Sequence, residues 1–335
     1  MESEKKALYN SFRMGWLEDP SLDVEPWQVE DYRSLSLDTL LQRLRLQEID
    51  LDRPAFTALA EEQDTPETLT DHLIGDADVD QVSYDQIYLL LFELWRRLLP
   101  EKMSLSVFCD ELDYQIYLYD TGQIQNPLLI QDLLANLGVI LDEYVDGGAS
   151  PKEIFSTISR NCANDIESFL YDLISDQIDQ HNESYAGELL DQFQVYFSDN
   201  KWFDFLQAKL FASTDPSAAS RILPMIILVA AEGDDLDFNL ELLSFLINSG
   251  EARDFISLAK KTFRLLKSED DFNDLLSLCS DFYQRLDQDE SDEAVKKIIK
   301  NRANREKKRD LTVNLQDNDI SELNKILSAN LNRTP

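Results

Sequence analysis

The sequence predicts an all-α protein, and three observations carry that expectation. Only 9 Gly and 10 Pro occur in 335 residues, well under the roughly 12 % that an average chain devotes to these two helix breakers. Apolar residues recur at three- and four-residue spacing, and convincing strand alternation appears nowhere. Short polar connections such as Ser198-Asp199-Asn200 and Asn248-Ser249-Gly250-Glu251 join the periodic runs, which makes consecutive helices antiparallel neighbours. The expected architecture is a set of stacked antiparallel helical hairpins, forming either a degenerate α-solenoid (a TPR- or HEAT-like superhelix) or an irregular orthogonal bundle.

In chain order, the pattern places helices near 2–13, 36–47 and 54–63. Thr65-Pro66-Glu67 then joins a hydroxyl cap to a first-turn proline and opens a helix over 66–74. Tyr84, Ile87, Tyr88, Leu91, Leu94, Trp95 and Leu98 form one stripe and define a helix over 83–98. Helices over 104–120 and 126–145 follow. Ser150-Pro151-Lys152-Glu153 has the form of a capping box with proline at the first helical position and opens 151–163. Helices at 165–180, 183–197 and 200–213 lead to Asp215-Pro216, the start signal for 217–231. The apolar segments 222–231 and 240–247, the latter within a helix over 237–248, read as enclosed on most sides, whereas the other helices look one-sided. Phe255, Leu258, Ala259, Thr262, Phe263 and Leu266 stripe a helix over 252–267. Phe272, Leu275, Leu276, Cys279, Phe282, Tyr283 and Leu286 do the same for 269–287. The last two helices fall at 291–309 and 318–329.

Segments 188–206 and 241–256 are loosely parallel, but the Trp, Leu-Gly and Tyr signature of tetratricopeptide repeats is missing, so any repeat is degenerate. Four divisions follow: an aromatic and acidic segment over 1–33, a first helical subdomain over 34–146, a second over 150–290, and a basic helix with the terminal helix over 291–335.

Charge narrows the partner class. With 65 Asp and Glu against 31 Lys and Arg the net charge is −34, and such a field repels nucleic-acid backbones and anionic membrane surfaces. The longest apolar run, 222–231, is ten residues and contains Pro224, whereas a bilayer span needs about 20. The N-terminus lacks the form of a secretory leader. A cytoplasmic protein with a basic or amphipathic protein partner is expected, and no membrane insertion. Cys109, Cys162 and Cys279 are read as reduced, buried hydrophobes.

Two fragments look like chemistry. Asp270-Asp271-Phe272-Asn273-Asp274 has the DDxxD form, and Asn164-Asp165-Ile166-Glu167-Ser168-Phe169-Leu170-Tyr171-Asp172 is similar to the second metal motif of the same family; both resemble the magnesium- and diphosphate-binding motifs of the all-α terpenoid synthases. The resemblance implies an alternative reading, an all-α enzyme holding a diphosphate through Mg2+. The second fragment ends in Asp where that family usually has Glu, and the motif order is reversed. At about 100° per residue, the carboxylates of both fragments fall opposite the apolar stripe of their helices. Ser268 and Asp271 are also spaced as a capping pair. His72 and His181 read as exposed, Gly147-Gly148 lacks the residues of a phosphate loop, and no nucleophile elbow occurs.

The expectation is therefore a non-enzymatic helical-repeat protein, an adaptor or chaperone-like scaffold, with no catalytic, metal or cofactor residues. Its candidate docking residues come from two places. Trp16 and Trp27 stand out in the N-terminal aromatic segment, read as a linear stretch laid on the helical body. Lys296, Lys297, Lys300, Arg302 and Arg305 belong to the one basic island, 296–309, which holds eight cations against one acid.

Overall fold

The computed structural model describes residues 4–75, 77–197, 201–303, 313 and 317–331, and these are all-helical: seventeen α-helices and four short 3-10 turns, with no strand among the described residues. The helices are α1 (Glu4–Glu18), α2 (Leu37–Leu46), α3 (Arg53–Glu61), α4 (Pro66–Ile74), α5 (Gln81–Leu98), α6 (Leu105–Asp120), α7 (Pro127–Asp146), α8 (Pro151–Ser159) and α9 (Ile166–Asp179). They continue as α10 (Glu183–Phe193), α11 (Lys201–Thr214), α12 (Pro216–Glu232), α13 (Leu236–Ser249), α14 (Ala252–Thr262), α15 (Glu269–Arg285), α16 (Asp289–Ala303) and α17 (Asn318–Leu331).

Caps explain most starts. Thr65 accepts from the Thr68 amide at 3.1 Å, Asp215 from the Ser217 and Ala218 amides at 3.1 Å, and Ser268 from the Asp271 amide at 3.1 Å. Each satisfies amides that the first helical turn leaves without a partner. Ser150 departs from expectation, because its hydroxyl makes no cap bond; proline at the next position supplies the start by fixing φ. The N-terminal helix runs to Glu18, well past the expected end near 13, so Trp16 lies on a helix and not on a linear segment. Gly15 lies inside it, and a Cβ there would meet Leu22 Cδ1 at 3.3 Å; the glycine lets the chain after Pro20 fold back over the helix end.

The chain divides into two compact units, one of Met1–Asp172 with Val195–Ser198 and one of Leu173–Gln194 with Asp199–Pro335. The first is built around α5. Ile87, Tyr88, Leu89, Leu90, Leu91, Phe92, Leu94 and Trp95 are all buried, so this helix is enclosed on nearly every side and not on one stripe as the sequence suggested. α2 and α4 pack on it, and α6 packs on α1 and α7. Cys109 and Cys162, distant in sequence, both place Sγ on the Ile158 carbonyl, at 4.0 and 3.9 Å, and all three cysteines are free and buried.

In the second unit, α11 packs on α12, α13 on α14 and α15 on α16, with further contacts of α11 on α13, α12 on α14, α13 on α15 and α14 on α17. Its core includes Phe238, Leu242, Leu246, Phe255, Leu258, Phe272, Leu276 and Phe282, with the Phe255 and Phe282 rings stacked 3.9 Å apart. α12 corrects the sequence reading in the other direction: Ile226 and Ala230 are buried, but Pro224, Met225, Leu228 and Val229 face solvent.

Arg302 closes this unit. Its side chain is 1 % exposed and bonds Glu269 at 2.6 Å, Asp319 at 2.9 Å and Asp317 at 3.1 Å, with the guanidinium 4.7 Å from the Phe272 ring centre. Burial pulls its pKa down, but the carboxylates outweigh that and raise it. One cation thereby ties α15, α16 and the start of α17. Replacing it by Met keeps the volume and leaves three converging carboxylates without their counter-charge, so Arg302→Met should cost about 3 to 5 kcal/mol in denaturant unfolding. A loss under about 1 kcal/mol, the worth of an exposed pair, would show that the cage does not hold the helices together.

Candidate functional site

The site grows from one stripe of α1. Lys6, Tyr9, Asn10, Arg13, Met14 and Leu17 recur at three- and four-residue intervals and so share a face. Opposite them the chain from Leu22 to Ser34 forms two 3-10 turns, Pro26–Gln28 and Tyr32–Ser34, while α6 brings Asp110, Asp113, Tyr114 and Tyr117 on a stripe of its own. These surfaces line a small cavity of about 90 Å3, whose walls also include Arg33, Phe92 and Glu93.

Asp110 holds this arrangement. The carboxylate is buried and accepts from Lys6 Nζ at 2.6 Å, Arg33 Nη2 at 2.5 Å and Asn10 Nδ2 at 3.1 Å. Burial alone would raise its pKa, but Lys6 and Arg33 prevail and hold it well below the usual carboxylate range. Arg33 continues to Glu111 at 2.8 Å and lies 4.2 Å from the Tyr114 ring centre. Asp113 accepts from the Ala163 and Asn164 amides at 2.8 and 3.0 Å and from Asn10 at 3.1 Å. In its case burial pushes the carboxyl up against the pull of those bonds. From the other side, Arg97 of α5 donates to the carbonyls of Tyr32, Arg33 and Leu35 at 3.0, 2.9 and 2.6 Å. Asp85 anchors the start of α1 by accepting from Lys5 Nζ at 2.8 Å and Tyr9 Oη at 2.7 Å.

Beside this cavity lies an open cleft of about 670 Å3, lined by Arg13, Trp16, Leu17, Val24, Pro26, Trp27, Val29, Glu30 and Asp31. The cleft and the cavity share Arg13, Leu17, Glu30 and Asp31, and the Arg13–Asp31 ion pair at 2.7 Å stands at that shared boundary. Trp27 is braced from behind by Tyr9, with ring centres 5.5 Å apart. Glu18, Asp19, Asp23 and Glu25, in the same stretch of chain, are exposed. The lining is apolar and aromatic, and the surrounding charge is mainly negative.

The structure therefore brings Trp16 and Trp27 together in one cleft. It places Lys296, Lys297 and Lys300 in the other unit, exposed on α16, with Lys296 paired to Asp292 at 2.8 Å. It removes Arg302 from any docking face, because three carboxylates bury it. Arg305 lies outside the described residues. The sequence reading missed Asp110, Asp113, Lys6 and Arg33. A trace was present, since Asp113 interrupts the apolar row Cys109, Leu112 and Ile116 of α6, and a carboxylate inside a core stripe implies a buried partner.

Carboxylates of the two metal-like fragments face solvent or cap their own helices. Asp270 and Asp274 are exposed, and Asp271 accepts from the Lys267 and Ser268 amides at 2.7 and 2.9 Å. Asp165 accepts from the Glu167 and Ser168 amides at 3.1 and 3.3 Å, and Asn164 turns inward onto Asp113. Among the described residues no group of three or more His, Cys, Asp and Glu could hold a metal ion, and no helix is long and apolar enough to cross a membrane. Comparison of the chain with protein-family models, curated proteins and solved structures finds no match.

The Asp110 clamp has a pH signature. Its folded-state pKa lies below the unfolded value of about 3.9, so its stabilisation is complete above about pH 4 and fades as pH falls toward the folded value. Asp110→Asn leaves Lys6 and Arg33 facing a neutral group and should cost about 3 to 5 kcal/mol at pH 7. The gap between wild type and variant should narrow steadily below pH 4 in denaturant titrations; a gap that is constant down to pH 2 would show that the carboxylate charge is not what stabilises the clamp.

Proposed function

We propose that this chain is a non-enzymatic helical binding protein, an adaptor or chaperone-like scaffold, whose cleft between Trp16 and Trp27 takes a basic, amphipathic segment of a protein partner. The observation that carries the reading is the meeting of the two indoles in one cleft with exposed carboxylates around it. Flat aromatic rings in a concave site are the usual anchors for an apolar side chain, and tryptophan faces also attract cations. The rim of Glu18, Asp19, Asp23 and Glu25 would draw Lys and Arg to flank that anchor, setting orientation and on-rate more than affinity.

For the helical arrangement, we read the second unit as a degenerate α-solenoid of stacked hairpins. The support is its contact order, in which α11, α12 and α13 each touch both the next helix and the one after it, as stacked helical pairs do. We place the protein in the cytoplasm, where three free buried thiols would stay reduced.

The test is a titration of a labelled helical peptide of leucine and lysine, with leucine along one face, against the full chain and two variants. Trp16→Ala should weaken binding by about tenfold or more in a chain that circular dichroism shows to be folded. Trp27→Ala should weaken it as much and also lower stability, because Tyr9 loses its packing partner. Raising salt should reduce affinity without abolishing it, since only the rim is screened. Binding that ignores both substitutions, or that disappears when the exposed Lys296, Lys297 and Lys300 are all replaced by Ala, would remove the cleft from the account.

A further inference from the structure

α12 carries a stripe that the fold does not use. Arg221, Pro224, Met225, Leu228, Val229 and Glu232 follow one another at intervals of three, one, three, one and three, so they lie on a single face. All six are exposed, Met225 at 64 %, Leu228 at 49 % and Val229 at 44 %. The opposite face, with Ala219, Ile226 and Ala230, is buried against the core. Neither Arg221 nor Glu232 makes an ion pair among the described residues. A proline inside a helix is costly, and four adjoining apolar residues on the surface of so acidic a chain need a reason.

The order of the stripe supplies one, because it is a palindrome. When two copies of this helix lie antiparallel about a dyad midway between Ile226 and Ile227, Met225 meets Leu228 of the partner copy, Pro224 meets Val229, and Arg221 meets Glu232. Each contact is then made twice, which is the requirement of an isologous two-fold interface. We propose that α12 is a homodimerisation face, with the four apolar residues at its centre and an Arg221–Glu232 pair closing each end.

Charge favours a second copy over another occupant. The stripe has one cation and one anion and no net charge, so it offers nothing to steer a strongly basic or acidic partner. Its two charges fall opposite each other only in the antiparallel arrangement. From Arg221 to Glu232 the contact is about 16 Å long at 1.5 Å per residue, shorter than an interface burying the standard 1,600 Å2 or so requires, and this marks a weak, concentration-dependent dimer. Two bodies of net charge −34 repel at long range, and salt screens that repulsion while leaving apolar contact intact. Dimerisation should therefore strengthen with salt, opposite to the cleft's binding of a basic peptide, and it does not depend on that reading.

Sedimentation equilibrium of the full chain from about 5 to 200 μM, at roughly 0.05 and 0.3 M salt, tests this. Wild type should show a monomer–dimer equilibrium that is tighter at the higher salt. Met225→Glu sets a carboxylate against Leu228 of the partner copy at both symmetry-related contacts and should weaken the dimer about tenfold or more. Arg221→Glu sets like charges opposite each other and should weaken it about threefold, and so should Glu232→Arg. Arg221→Glu combined with Glu232→Arg should restore wild-type affinity to within about twofold, since the swapped pair has the same geometry. All three substituted positions are exposed, and circular dichroism checks that each of the four variants folds. A protein that stays monomeric throughout at both salt concentrations, a dimer unaffected by Met225→Glu, or a double variant as weak as the singles would overturn the proposal.

Discussion

A single buried carboxylate organises the N-terminal part of this protein. Asp110 sits where α1, the Tyr32–Ser34 turn and α6 converge, and each sends it a donor: Lys6 and Asn10 from α1, Arg33 from the turn. Placing one charge there is expensive, and two cations at short range outweigh the cost. The consequence is positional. Because Lys6 and Asn10 fix the rotation of α1, Trp16 further along the helix faces the turn that carries Trp27, and a cleft exists. The second unit uses the inverse device, one buried cation, Arg302, among three acids. In a chain with 65 acids to 31 bases carboxylates are plentiful, so a buried cation such as Arg302 readily joins several helices.

Much of the fold was legible because helices are local. The apolar stripe of α15 and its Ser268–Asp271 cap can be read from spacing alone, and the structure reproduces both. What was not legible depended on long-range partners. Arg302 looks like one more cation in a basic run, and only the arrival of Glu269, Asp317 and Asp319 from other segments shows it to be interior. α5 and α12 exchanged roles for a similar reason. Apolar content marks a helix as sticky, but whether neighbours cover one side or all of it depends on how the surrounding helices assemble.

The site divides in the same way. Trp16 and Trp27 were visible as aromatic residues out of place in an acidic, proline-interrupted stretch, but their meeting depends on the fold-back of the chain after Pro20. The clamp beneath them left only the faint trace of Asp113 within an apolar row. Lys296, Lys297 and Lys300, equally conspicuous in sequence, lie on the surface of the other unit, and Lys296 is paired there to Asp292.

The central claim is that the Asp110 clamp holds α1 and the 26–34 segment in place and thereby forms the cleft. Hydrogen exchange resolved by residue, on the wild type and on Asp110→Asn at neutral pH, tests it most directly. The account predicts that amides of α1 and of residues 26–34 lose protection by about a hundredfold or more in the variant, while those of α15 and α16 exchange as before. Uniform loss across both units, or unchanged protection in α1, would contradict it.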